Sequence, residues 1–151
     1  MFDSTVVPSA SVRVALVLVL VLLNAFFVAA EFALVSVRRS RIDQLASAGD
    51  RTAQRIQHAL THLDRTISTT QVGITLASLA LGWVGEPAFA AVADRAFRLV
   101  GIAPHPGALH TGAGIVVAFL VITFLHIVLG ELAPKSIAIS RAEPVSRMTV
   151  W

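Results

Sequence analysis

Residues 14–37, 67–84 and 111–130 are nearly free of charged side chains, and each run approaches the roughly 20 residues that an α-helix needs to cross a bilayer. No other feature narrows the fold as far. A backbone immersed in hydrocarbon must pair its own N–H and C=O groups, and a helix does so within one segment. Composition agrees: 56% of the 151 residues are hydrophobic and 14% charged, against about 25% charged in soluble domains. The apolar residues are gathered into runs rather than spread at an amphipathic period. The expected fold is therefore an all-α integral membrane protein of a single domain, with three transmembrane helices plus cytoplasmic juxtamembrane amphipathic helices. The chain has no cysteine, which excludes disulfides, thiolate catalysis and zinc–cysteine sites.

Placement of the charges matters more than their net value of +3. Arg38, Arg39, Arg41, Arg51, Arg55 and Arg65 fall between the first two spans, and Lys135, Arg141 and Arg147 follow the third. Between spans two and three stand only Arg95 and Arg98, offset by Asp94 and Glu86. The positive-inside rule then puts the N-terminus outside a cell (inner or plasma) membrane, with residues 38–65 and 135–151 cytoplasmic. Val28–Ala30 would pass as a signal-peptide cleavage site. Positive charge follows the first apolar run instead of preceding it, however, so that run is expected to span.

In the basic stretch, Gly49 suits a helix C′ position and Asp50 suits the cap of the next helix. Over residues 50–64, Ala53, Ile56, Leu60 and Leu63 recur at helical spacing, one apolar stripe on a wet helix. This helix is expected to lie along the inner membrane surface, its stripe turned to lipid or the span bundle, its arginines to anionic headgroups. The arginines flank a span and interleave no aromatics, so nucleic acid is not an expected partner. Residues 85–110 read as a short amphipathic helix, then a loop of proline, glycine and histidine. His58 and His62 are expected to be solvated, and His126 to be a packed neutral side chain.

Polar groups at bilayer depth cost a few kcal/mol each, so each needs a partner or a role. Gln71, Thr75, Ser78 and Gly82 share one face of the second span. Such a stripe must meet protein or water, and a packing seam between helices is its simplest use. In the first span Asn24, Val28, Glu31 and Val35 share a face, with Arg38 a natural partner for Glu31. The end of the third span, "HIVLGELAPKSIAIS", is the most informative stretch. Pro134 has no N–H, so the Gly130 carbonyl loses its helical donor, and the next residue is Glu131. A freed carbonyl beside a carboxylate is a hard-oxygen cation ligand set. Lys135 could equally neutralise Glu131 and make the motif a structural kink; spacing leaves both open. No nucleophile, phosphate loop or paired-carboxylate motif is present, so an enzyme is not expected.

"NAFFVAAEFALVSVRRSRI", "LDRTISTTQVGITLASLALGWVGEP" and "GELAPKSIAI", in this order and spacing, resemble the transmembrane domain of the CNNM/CorC family, haemolysin-like proteins linked to magnesium and cobalt efflux. The resemblance runs from about residue 12 to 151. It implies a homodimer of three-span domains with external N-termini, and a site for Mg²⁺, as transported or bound ion, beside the acidic residue of G-E-x-x-P-K and the polar residues of span two. On this chain those are Glu131 and Gly130 with Ser78 and Thr75. Family members often carry a G-N-N-x-x-N pattern in span two, where this chain has Gly73, Ile74 and Thr75, with Gly82 at a later serine position. Fewer side-chain oxygens are thus expected here. Relatives usually continue into paired CBS modules and a CorC domain, so a truncated domain is expected. The implied function is divalent-cation efflux, with Na⁺ as the coupling ion. The alternative is a non-conducting dimeric anchor or scaffold that signals to cytoplasmic modules.

Overall fold

The computed structural model describes residues 10–99 and 112–150. Its first helix, α1 (Ala10–Ser36), is followed by two short helices, α2 (Arg39–Ser47) and α3 (Arg51–Thr61). Helix α4 (Leu63–Leu99) comes next, then α5 (Gly112–Leu125), which passes directly into a π-helical segment (His126–Leu132) and on into α6 (Ala133–Ser140). Helix α7 (Ala142–Thr149) ends the described chain. Three stretches are long and apolar enough to cross a membrane: Ser11–Ser36, Leu63–Gly85 and Phe119–Ser140. Exposed Leu22, Leu79, Phe119, Phe124 and Trp83, the last 87% exposed, give these helices an apolar outer surface suited to lipid rather than water.

Two expected boundaries move. The third span does not stop at Gly130 but continues through the π segment and past Pro134 to Ser140. Pro134 falls in the first turn of α6, directly after the π turn, so the helix continues past the proline instead of ending at it. The second span does not give way to a separate short helix near Glu86, because α4 runs unbroken to Leu99. The loop expected over residues 100–110 lies outside the described residues.

Helix α1 is the central element and packs against α4, the π segment, α6 and α7. Its contact with α4 depends on Gly73: a Cβ there would stand 2.7 Å from ring carbons of Phe27, closer than any real contact. Val17 and Val21 meet Leu81 further along the same seam. The face α4 turns inward therefore carries Thr70, Ala77 and Leu81. The polar stripe is rotated one position away from it: Gln71, Thr75 and Gly82 are exposed, and Ser78 sits half-buried at the edge.

A second core forms where α1, α2 and α3 meet beside the spans, from Leu34, Val37, Ile42, Ala46, Ala53, Ile56 and Leu60, with Leu63 and Val150 at its margin. The amphipathic stripe of α3 thus turns into protein. Gly49, at φ +91°, ends α2 with the expected left-handed turn. Its N–H bonds the Ala46 carbonyl and that of Asp50 bonds Leu45, both at 3.1 Å, a double closure of the helix end. Asp50 then caps α3, its carboxylate accepting from the N–H groups of Thr52 at 2.9 Å and Ala53 at 3.1 Å. The helix ends at Thr61, before the expected Asp64, and the next residues begin α4.

Candidate functional site

Everything at the centre of the bundle follows from one missing donor. Residue 134 cannot offer an N–H to the Gly130 carbonyl. The amide of Asn24 in α1 supplies it instead, Nδ2 donating to Gly130 O at 3.0 Å. Asn24 is 1% exposed and Gly130 is buried, so this bond is sealed from solvent. Glycine is required at 130 by close approach, since a Cβ would stand 2.8 Å from His126 Cδ2 and 3.3 Å from the Asn24 amide nitrogen. One site residue expected from the sequence, Gly130, is therefore at the heart of the cluster.

Ser78 is a second. Its Oγ lies 3.4 Å from Asn24 Oδ1 and 3.4 Å from His126 Nε2. With the imidazole proton on Nε2, a single chain results: His126 donates to Ser78, Ser78 to Asn24, and Asn24 to the Gly130 carbonyl. The bonds to Ser78 are long and weak, whereas the amide-to-carbonyl bond is of ordinary strength. Three spans thereby meet at one polar knot, through Asn24 of α1, Ser78 of α4 and the π segment. Among the described residues, no buried side-chain nitrogen or oxygen is left without a partner.

Glu131 and Thr75 are not drawn into this knot. Both are exposed, and neither makes a hydrogen bond or ion pair among the described residues. The Glu131–Lys135 salt bridge required by a purely structural kink is absent among them as well: Lys135 Nζ lies 4.4 Å from the centre of the Phe32 ring instead. Nor does Glu31 pair with Arg38; Thr70 Oγ1 donates to its Oε2 at 3.0 Å, tying α1 to α4. His58 and His62 are exposed, as expected, with ring centres 4.7 Å apart.

Asn24 and His126 are the members sequence reasoning missed. Asn24 had a signal: a lone amide in a long apolar run needs a partner, and the carbonyl freed by Pro134 is a matching orphan in another span. His126 sits four residues before Gly130 in the helix, close enough to border that carbonyl, but nothing in the chain foretold its contact with Ser78.

Residues 15–151 match the model of the cyclin M transmembrane N-terminal domain, called CNNM. The chain belongs to the CNNM family. It is similar to three proteins of Bacillus subtilis. It is 48% identical to UPF0053 protein YhdT over 128 residues, which is 85% of this chain and 27% of that protein. UPF0053 protein YhdP is 44% identical over 137 residues, 91% of this chain and 30% of the relative. UPF0053 protein YugS is 45% identical over 130 residues, 86% and 30% of the two chains. The chain thus spans less than a third of the length of these curated relatives. As a CNNM domain with three apolar helices, it is a membrane protein.

Proposed function

We propose that this CNNM domain carries a divalent cation, Mg²⁺, across the cell membrane as a homodimer, with Na⁺ as the exchanged ion, the N-terminus outside and the α2–α3 region and α6–α7 inside. The observation that carries this is the Gly130 carbonyl, freed by Pro134 and bonded at 3.0 Å to a buried Asn24 amide between spans. Rotating that amide would release the carbonyl and turn Asn24 Oδ1 toward the same place, giving two hard oxygens beside the Ser78 hydroxyl. Glu131, next along the chain and unpaired among the described residues, supplies the negative charge that a divalent ion needs in a low-dielectric setting. Broken helices at membrane depth are tolerated where they line such sites. The exposed polar stripe of Gln71, Thr75 and Gly82 favours a second copy packed there, because hydrocarbon would leave it unsatisfied.

A non-conducting scaffold is the second reading, and one observation favours it: Asn24, Ser78 and His126 find their partners within the protein. Thermal melts of the purified protein with and without Mg²⁺ separate the two, because only an ion bound by the folded state raises the melting temperature. Transport requires wild-type stabilisation that Glu131→Gln abolishes, followed by Mg²⁺ flux in proteoliposomes. A wild-type melt unmoved by millimolar Mg²⁺ leaves the scaffold.

A further inference from the structure

Where α3 runs into α4, an open groove of about 800 Å³ is lined by Arg51, Arg55, His58, His62 and Arg65, with Val150 of the last segment in its wall. No carboxylate lines it. Asp50, the neighbour of Arg51, is engaged by Arg147 Nη1 at 2.8 Å, and Asp64 lies outside the lining. Arg51, Arg55 and Arg65 make no ion pair among the described residues. Three unneutralised guanidiniums facing one cavity repel one another, an arrangement that an anion relieves. Depth selects the anion: Arg65 is the third residue of the span Leu63–Gly85, at the level of lipid headgroups.

We infer that this groove is a binding site for the phosphate of an anionic phospholipid. Guanidinium forks match the phosphate oxygens, and Val150 borders the route by which an acyl chain leaves toward the bilayer. The site is separate from the polar knot between the spans and does not depend on ion transport.

The test uses the 151-residue chain in neutral detergent, titrated with dioctanoyl phosphatidylglycerol, dioctanoyl phosphatidylcholine or inorganic phosphate and read by native mass spectrometry. Phosphatidylglycerol should bind most tightly. Arg55→Gln with Arg65→Gln should weaken it about tenfold or more, whereas Arg38→Gln with Arg141→Gln, which removes equal charge elsewhere, should change it less than about twofold. Arg51→Gln with Arg55→Gln repeats the test on α3 alone, leaving the span untouched. Equal losses in the two charge-matched doubles would overturn the site in favour of diffuse attraction. So would inorganic phosphate binding as tightly as the lipid, or phosphatidylcholine doing so.

Discussion

Replacing Asn24 by alanine should destabilise the bundle by an amount that depends on residue 134. The substitution deletes the 3.0 Å bond to the Gly130 carbonyl and leaves that carbonyl buried beside a proline that cannot donate. Interhelical hydrogen bonds in membranes are worth about 0.6 kcal/mol on average and about 1.7 at most. Stranding a buried acceptor adds toward the range of about 1–3 kcal/mol. A loss of about 2 kcal/mol is therefore expected. Pro134→Ala gives residue 134 an N–H within reach of the same carbonyl, so in that background Asn24→Ala should cost only about half as much. The coupling, about 1 kcal/mol, is read by a double-mutant cycle from equilibrium unfolding in mixed micelles, followed by circular dichroism. Additive costs, agreeing within about 0.5 kcal/mol, would refute the idea that Asn24 answers the donor removed by Pro134.

Three further outcomes are expected. Leu60→Asp places a charge in the α1–α2–α3 core, where Leu60 is 6% exposed, and should cost several kcal/mol or abolish folding. Gln57→Asp gives up the exposed bond that Gln57 Nε2 donates to Asp43 at 2.7 Å and sets two carboxylates together, a loss of about 1 kcal/mol that solvent screens, and equal costs for the two changes would contradict the inward stripe. Gly73→Ala forces a Cβ against the Phe27 ring and should cost about 1–3 kcal/mol. A Cβ at Gly82 meets nothing within 4 Å, so Gly82→Cys should melt normally and, as the sole cysteine, report by disulfide cross-linking whether a second copy packs there. The Arg147 guanidinium, followed by the Ala53 N–H, holds the Asp50 carboxyl below its usual range. The contribution of Asp50 is then fully present above the unfolded carboxylate range and is lost as pH falls through the lower folded value. Asp50→Asn should accordingly be less stable than wild type at pH 7, with the gap narrowing under strong acid, as measured by chemical unfolding across pH.

The spans were legible because length and hydropathy are demands of the bilayer itself, and the α2–α3 turn was legible because Gly49 and Asp50 are local signals. What failed were inferences that depend on how helices rotate against one another. The stripe of Gln71, Thr75, Ser78 and Gly82 was expected to meet protein or water, and within the single chain Ser78 reaches other helices while Gln71, Thr75 and Gly82 stay exposed. The true inward face is set by Gly73, which admits the Phe27 ring, and so by a small residue rather than a polar one. Glu31 illustrates a related point: α1 ends at Ser36, so Arg38, in extended backbone before α2, no longer follows the face that carries Glu31, and the partner taken is Thr70, thirty-nine residues on. The end of the third span was misplaced because Pro134 reads as a terminator, whereas a π turn lets the chain pass through it.

The freed carbonyl also explains why a chain with no asparagine in its second span retains an amide at the centre. Gly130 O accepts the Asn24 amide, and on the transport reading proposed above a cation would compete for the same oxygen, so the Asn24 bond would set the threshold such an ion must exceed. Its strength, about 0.6–1.7 kcal/mol, corresponds to roughly three- to twentyfold in apparent affinity. On that reading the bond is weak enough for an ion backed by the Glu131 charge to displace, and the amide that joins α1 to the π segment would itself be the group that turns toward the ion.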